Sequence, residues 1–243
     1  MTQRYPRPPI TEAVIEIKFE EPIERESIEK VRSRLLDTYP LSEPHNVVGI
    51  FFNVAQRSTK FQEGETGYKL STQDRTDSVF VTTRLIATSR LAPYQGWESF
   101  CKQASRNWEI WKKAIGYRKV GRVGVRYVNR IDVPMEADGG VNVEEYLTFY
   151  PETPTGVVPA MLNFNMQMRM SVGADNCDFV LNMASVESPV PNHASFVFDQ
   201  DLYREQDVPQ HDEQLWQLIN AMRTHKNHIF EAAITDKTRA LFQ

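Results

Sequence analysis

The sequence predicts an α+β fold: two tandem β-α-β(3-4)-α repeats joined into one curved antiparallel sheet, with the helices packed on one face. Three observations predict it. Several segments alternate apolar and polar residues with the period of 2 that is typical of half-buried strands. Others repeat apolar residues at helical spacing. Finally, each half of the 243-residue chain reads strand, helix, three or four strands, helix, and a sheet that is apolar on one face must cover that face with helices.

The first half opens with a strand at 8–22, in which Ile15, Ile17 and Phe19 alternate with Glu16 and Lys18. A helix follows because Ile28 and its apolar successors recur at helical spacing up to Pro40, and proline disfavours a helical residue before it. The remaining predicted elements of this half are strands at 46–56, 67–73 and 78–91 and a long helix at 95–116.

The second half repeats this order. Its predicted elements are a strand at 121–134, a shorter helix at 142–151, strands at 161–172, 177–186 and 193–201, and a long helix at 211–235. A shift of 111 residues aligns Leu36 and Tyr39 with Leu147 and Tyr150, which favours an internal duplication. We therefore expect a first repeat at 1–118 and a second at 119–243, fused into one globular unit through their first strands, since this pairing removes two exposed edges. The element order resembles the duplicated saddle of the TATA-binding protein and related helix-grip folds, a likeness that implies no function.

Composition narrows the class of protein without naming an activity. The net charge is −4 and 41% of the residues are apolar, which is typical of a globular protein and unlike one whose whole surface binds polyanions. No apolar run approaches the roughly 18 residues of a membrane helix, and the start lacks the apolar segment of a secretory signal. The two cysteines, Cys101 and Cys177, are too few for a disulfide framework. We expect a cytoplasmic protein with reduced thiols and no membrane association.

A set of polar residues is predicted to lie on the open face of the sheet. On the strand at 121–134 the odd positions are mostly apolar and should meet the helices, so the arginines at even positions point the other way. On the strand at 161–172, Leu162 and the residues in step with it should point inward and the alternating polar residues outward. The predicted binding residues are Arg122, Arg126, Arg130, Asn163, Asn165, Gln167 and Arg169. Such side chains suit phosphates, bases or a polar protein surface.

Two interpretations of these arginines remain open at this point. If the two first strands pair, Glu12 and Glu16 lie near Arg122 and Arg126, and cross-strand ion pairs stabilise a sheet by about 0.2–1 kcal/mol each without any ligand. Alternatively, the arginines form a functional basic surface. Nine Lys or Arg residues and a single acid occur between Lys102 and Arg130, and such a segment suits binding to nucleic acid.

The chemistry-bearing residues predict no cofactor. His225 and His228 are three residues apart on a predicted helix, with Glu231 on the same stripe, so they are weak candidates for a metal site. No motif such as G-x-S-x-G surrounds a nucleophile, and no glycine-rich phosphate loop occurs. An enzyme is therefore the less favoured class.

Three stretches, "PPITEAVIEIKF", "GVRYVNRID" and "THKNHIFEAAITD", resemble a sporadically distributed bacterial family of proteins about 240–260 residues long. They span nearly the whole chain. The marked positions of the family correspond here to Pro9, Ile10, Glu12, Arg126, Tyr127, Asn129, Arg130, His225, Phe230 and Thr235. The resemblance implies no particular reaction. The patchy distribution of the family resembles that of accessory or defence-associated genes.

The favoured function is a non-catalytic cytosolic binding protein that uses the arginine-bearing sheet face to engage, above all, a protein partner. One alternative is a nucleic-acid-binding protein that uses Lys102–Arg130. Another is a metal-dependent hydrolase at His225, His228 and Glu231. A homodimer that covers the exposed sheet edges also stays open.

Overall fold

The computed structural model describes residues 5–53, 58–154, 157 and 161–243. In these residues the protein is α+β with one antiparallel sheet, as the sequence predicts. The described residues form nine strands and four α-helices. No described helix combines the length and the apolar character needed to cross a bilayer.

The elements follow the predicted order with a few differences. The strands are β1 (Ile10–Phe19), β2 (Leu41–Asn53), β3 (Ser58–Ser71), β4 (Asp77–Thr82), β5 (Leu85–Leu91), β6 (Val120–Pro134), β7 (Asn165–Val172), β8 (Cys177–Val186) and β9 (His193–Arg204). The helices are α1 (Arg25–Leu35), α2 (Trp97–Ile115), α3 (Asp212–Ala233) and α4 (Asp236–Ala240). The end of the predicted strand at 46–56, residues 54–56, lies outside the described residues.

The chain divides into two compact units. The N-terminal unit comprises Val14–Leu91 and Gln95–Val123, and the C-terminal unit comprises Met1–Ala13, Ala92–Tyr94 and Gly124–Gln243. In the N-terminal unit the strand order is β2, β3, β4, β5, then the later part of β1 and the start of β6. In the C-terminal unit it is the start of β1, the rest of β6, then β9, β8 and β7.

The core of the N-terminal unit lies between its strands and the helices α1 and α2. Ile15, Ile17 and Phe19 of β1 are buried, so the predicted inner face of this strand is confirmed. Phe19 stacks on Trp111 of α2 with ring centroids 4.2 Å apart, and Trp108 stacks on Trp111 in turn at 5.1 Å. Aromatic rings of this size dominate the apolar area that a core buries.

The core of the C-terminal unit lies between α3 and the inner faces of β6, β9 and β8. Phe198 of β9 meets Phe230 of α3 edge to face, with centroids 6.0 Å apart. Further buried side chains of this core are Ile131, Val133, Phe179, Leu181, Met183, Phe196, Leu202, Leu218 and Met222. The alternation along each strand places most polar residues of β6, β8 and β9 on the opposite face, whereas Asn129 and Gln200 are buried on the inner face.

The predicted helix at 142–151 is wrong. Only Val143–Glu145 form a single 3₁₀ turn, and the backbone beyond it pairs with the end of α3. The N–H of Thr148 donates to the carbonyl of Ala233 at 3.0 Å, and the N–H of Thr235 donates to the carbonyl of Tyr146 at 3.0 Å. This segment satisfies its backbone by pairing with a distant segment, which the local apolar pattern cannot reveal.

Other elements also differ from the prediction, and β2 and β3 begin at Leu41 and Ser58 instead of at 46 and 67. The run at 78–91 divides into β4 and β5, because the hydroxyl of Thr82 accepts hydrogen bonds from the N–H groups of Arg84 and Leu85 and closes a tight turn. The short helix α4 was not predicted. Its N-cap is Thr235, whose hydroxyl accepts a hydrogen bond from the N–H of Thr238, as threonine does at helix starts.

Candidate binding surface on the sheet

The two faces of β6 differ as the alternation predicts. Val125, Tyr127, Asn129 and Ile131 are buried, whereas Arg126 is exposed. Asn129 is the polar exception on the inner face, and its amide donates to the carbonyl of Phe198 on β9 at 3.1 Å. The buried amide of Asn129 is thus hydrogen-bonded to a neighbouring strand, as buried polar groups almost always are.

A row of hydrogen-bonded side chains crosses four strands of the C-terminal unit on the outer face. Arg126 of β6 donates two bonds to the carboxylate of Asp199 on β9, at 2.7 and 2.8 Å. Asn182 of β8 donates to the same carboxylate at 3.0 Å, and Gln167 of β7 donates to Asn182 at 2.6 Å. We call these four residues the polar row.

The register of the strands explains the polar row. Asn182 lies directly opposite Asp199 in the β8–β9 pair and opposite Gln167 in the β7–β8 pair. Asp199 has an exposed side-chain fraction of only 9%, whereas that of Arg126 is 48%. The hydrogen bond to Asp199 raises the pKa of Arg126, and the charges of Asp201 and Glu12 add to that effect. The row is thus anchored at a buried carboxylate and opens to solvent at both ends.

A second cluster lies beside the row on β7, β8 and β9. Arg169 donates to the carboxylate of Asp178 at 2.6 Å, and its guanidinium lies 5.7 Å from the ring centroid of Tyr203. Asp178 and Tyr203 are paired across β8 and β9. The side chain of Arg169 remains 64% exposed, so its cation is accessible although it has a carboxylate partner.

Arg130 and Arg122 are also paired with carboxylates. Arg130 donates to Asp132 on its own strand at 3.1 Å, and Asp132 accepts in turn from the hydroxyl of Ser195. In the N-terminal unit Arg122 forms an ion pair with Glu16, as the interpretation based on structural ion pairs expected. Every predicted arginine of this face therefore has an acidic partner.

The two predicted asparagines lie at the start of β7. Asn165 is its exposed first residue and faces Ala184 of β8, and Asn163 is exposed in the irregular segment before the strand. The prediction that Leu162 points inward is wrong, since this side chain is 94% exposed. The strand begins four residues later than the pattern suggested, so alternation does not apply to Leu162.

The residues that sequence reasoning missed are the carboxylates and the central amide: Asp132, Asp178, Asn182 and Asp199. A signal for Asp199 existed, because β9 alternates buried Phe196 and Phe198 with outward Val197, and the same alternation places Asp199 outward.

The part of the basic segment Lys102–Arg130 that lies in the N-terminal unit, residues 102–123, is divided between two elements. Its lysines on α2 belong to a helix whose Trp111 packs against the inner face of β1. Arg122 instead pairs with Glu16, which alternates with the inner residues of β1. The α2 lysines and Arg122 therefore lie on different sides of the sheet. Lys113 and Lys119 also lie near the carboxylates of Glu109 and Glu20.

The structure does not bring the three candidate metal ligands together. The ring of His225 meets Asp175 at 2.8 Å, and His228 is exposed. The carboxylate of Glu231 accepts from the hydroxyl of Tyr5 at 2.8 Å and from Arg239 at 3.0 Å. No group of three or more His, Cys, Asp or Glu side chains arranged for a metal occurs among the described residues.

Comparison of the sequence with protein-family models finds no match, and comparison with curated proteins finds none either. The resemblance to the sporadically distributed bacterial family therefore stays a prediction, and the geometry of the surface is the basis for proposing a function.

Proposed function

We propose that the protein is a non-catalytic binding protein that engages a protein partner through the outer face of β6, β9, β8 and β7. The observation that carries this proposal is the polar row, in which Arg126, Asp199, Asn182 and Gln167 are held in order by hydrogen bonds across four strands. A surface whose polar groups are already oriented loses less side-chain entropy when a partner binds.

The charge pattern favours protein over nucleic acid as the partner. The arginines of this face in the C-terminal unit, Arg126, Arg130 and Arg169, each pair with a carboxylate. A carboxylate beside each guanidinium repels phosphate groups, and nucleic-acid affinity depends on how many phosphates are neutralised. Alternating donors and acceptors, with Tyr203 next to Arg169, instead match protein interfaces, where tyrosine and arginine are enriched.

The test uses the exposed members of the face, because substitution of Arg126 would leave the buried carboxylate of Asp199 without its cation. The face variant is Gln167→Ala/Arg169→Ala. The matched control is Gln217→Ala/Lys237→Ala, which also removes one exposed amide and one exposed cation of the C-terminal unit, but from its helices. Partners captured from extract of the native cell by each protein are quantified by mass spectrometry.

We expect one protein to be captured by the wild type and the control and to be lost from the face variant. Equal capture by the face variant and the control would contradict the proposal. A parallel titration with single- and double-stranded RNA and DNA across a salt series tests the alternative based on Lys102–Arg130, which requires binding that weakens steeply with salt.

We further propose that the chain arose by duplication and acts in the cytoplasm. β1 to α2 runs strand, helix, four strands, helix, and β6 to α3 runs strand, 3₁₀ turn, three strands, helix, so the second copy would have lost its first helix. The cytoplasmic setting is supported by two free cysteines, of which Cys177 is buried and its pKa raised to about 11 by burial.

A further inference from the structure

Two contacts fix how α3 lies on the inner face of the sheet in the C-terminal unit. The ammonium of Lys226 sits 3.7 Å from the ring centroid of Tyr127 on β6. One helical turn later, Phe230 meets Phe198 on β9. Lys226 is therefore on the buried stripe of α3, and its side chain is only 4% exposed.

The register between β6 and β9 brings Gln200 beside Tyr127. The hydroxyl of Ser195 donates to Asp132, and the N–H of Met135 donates to the carbonyl of Asn192 at 2.9 Å. The same antiparallel register, continued along the two strands, sets Phe198 beside Asn129, and the hydrogen bond between these two residues agrees with it. At the next pair on the same face, it sets Gln200 beside Tyr127. Gln200 is thus next to the ring on which Lys226 rests.

Gln200 is fully buried, and neither its amide nitrogen nor its amide oxygen has a hydrogen-bond partner in the described part of the chain. An amide buried without partners costs about 1–3 kcal/mol, and buried polar groups in native proteins are almost always bonded. Lys226 has a ring face as its neighbour and forms no ion pair among the described residues. The ring of Tyr127 therefore has the amine of Lys226 over its face and the unbonded amide of Gln200 on the neighbouring strand beside it.

We propose that Lys226, Gln200 and Tyr127 form an internal site for a small carbonyl compound, to which Lys226 becomes joined as an imine. The lone pair on Nζ attacks the carbonyl carbon, the carbonyl oxygen takes up the two protons that Nζ loses and leaves as water, and a C=N bond to Nζ remains. No oxidant or reductant enters this balance. The amide of Gln200 would donate to the substrate oxygen during the attack, and the ring of Tyr127 would stabilise the protonated imine as it stabilises the ammonium.

The electrostatics of the site suit this reaction. Burial lowers the pKa of Lys226 to about 7, the charge of Arg223 on the same helix acts in the same direction, and Glu231 opposes it. From the sheet side the neighbouring titratable groups are Tyr127 and Tyr94, whose hydroxyls are 2.7 Å apart. At pH 7 the neutral amine fraction of such a lysine exceeds that of an ordinary lysine by roughly a thousandfold, and only the neutral amine attacks a carbonyl.

The test is reductive alkylation of the folded full-length protein with propanal and cyanoborohydride at pH 7, with the labelled lysines identified by peptide mass spectrometry. A small aldehyde is used because Lys226 is buried. Lys237 is the internal control, since it is exposed and its ion pair with Glu145 raises its pKa. We expect Lys226 to be alkylated before Lys237, and its rate to level off above pH 8 while that of Lys237 keeps rising.

The variant Gln200→Met keeps the size of the side chain and removes the amide. We expect it to lower alkylation at Lys226 by roughly tenfold, the effect of one lost hydrogen bond, without changing alkylation at Lys237. An unlabelled Lys226 in folded protein whose exposed lysines are labelled would overturn the proposal. Equal labelling of Lys226 with and without the amide would remove Gln200 from the site and overturn the three-residue arrangement. If the variant does not fold, the order of labelling in the wild type decides alone.

Discussion

Asn107 in the N-terminal unit and Gln200 in the C-terminal unit are both buried amides, but their surroundings differ. The amide nitrogen of Asn107 donates to Tyr39 at 2.9 Å and to Thr88 at 3.0 Å, and its oxygen accepts from Tyr39. Gln200 has no such partner among the described residues.

The buried cations of the two units differ in the same way. Arg90 donates to the carboxylate of Asp77 at 2.6 Å and to Ser99 at 3.0 Å, whereas Lys226 faces the ring of Tyr127. Trp111, whose indole N–H lacks a partner in the described residues, is an exception in the N-terminal unit, but its large ring area is used in packing.

This contrast separates two reasons for keeping a polar group inside a protein. A fully bonded network specifies one arrangement of the core and needs no ligand to justify its presence. A buried amide without a hydrogen-bond partner, such as that of Gln200, only costs stability in the free protein, so its presence points to another use. The substitutions below test this distinction, and we order them by the size of the expected effect.

Arg90→Met should give the largest loss. It leaves the carboxylate of Asp77, whose side chain is 19% exposed, without its cation, and breaking a pair of this kind costs about 3 kcal/mol. The free energy of unfolding, measured by urea denaturation, should fall by that amount. Arg75→Met is the control, because its pair with Glu43 is exposed on both sides, and such pairs contribute at most about 1 kcal/mol. Equal losses in the two variants would show that the Arg90 network does not hold the N-terminal unit together.

Arg126→Met tests whether the polar row is rigid before a partner binds. Asp199 would keep its bond from Asn182 but lose two bonds from Arg126, and hydrogen bonds to charged groups contribute about 1.5–3 kcal/mol. We expect the free energy of unfolding to fall by about 2 kcal/mol. Arg169→Met, whose partner Asp178 is more exposed, should leave stability unchanged. If Arg126→Met leaves the free energy of unfolding unchanged, the polar row is not preorganised, and the proposed binding surface loses its main support.

The faces of the strands were predictable from sequence, but their neighbours were not. Period 2 alone places Tyr127 and Asn129 inside and Arg126 outside, because alternation is a property of one strand. The pairing of Arg126 with Asp199 depends on which residues of β6 and β9 are opposite each other, and sequence does not give that register. The predicted arginine surface is for this reason a surface of arginine–carboxylate pairs.

Lys226 shows a second limit of sequence reasoning. Met222 and Phe230, four residues before and after it, are both buried, so the helical pattern places Lys226 on the apolar stripe of α3. A lysine at such a position is usually interpreted as extending its ammonium to solvent along the stripe. Only the structure shows that the amine stays inside, over the ring of Tyr127.

Lys226→Met should change how stability depends on pH. The pKa of Lys226 is about 7 in the folded protein and about 10.4 for an unfolded chain, so between these values unfolding takes up a proton. Stability of the wild type should therefore rise with pH, by about 1 kcal/mol per pH unit more than that of the variant. Urea denaturation of both proteins at pH 7.5, 8.5 and 9.5 measures the difference in slope, in which contributions from the other titrating groups cancel. Parallel curves would show that the amine is not desolvated.

Gln200→Met should have the smallest effect on the free energy of unfolding. The sign of its effect should be opposite to that of replacing Asn107, whose amide is hydrogen-bonded. The variant fills the same volume without burying two unbonded polar atoms, so the free energy of unfolding should stay equal or rise by up to about 1 kcal/mol. Asn107→Leu, which removes three hydrogen bonds and leaves the hydroxyl of Tyr39 with Gln103 as its remaining donor, should lower it by about 2 kcal/mol. A loss in Gln200→Met as large as that in Asn107→Leu would mean that the amide of Gln200 is bonded in solution. The contrast between the two units would then disappear, and with it the reason for expecting a ligand beside Lys226.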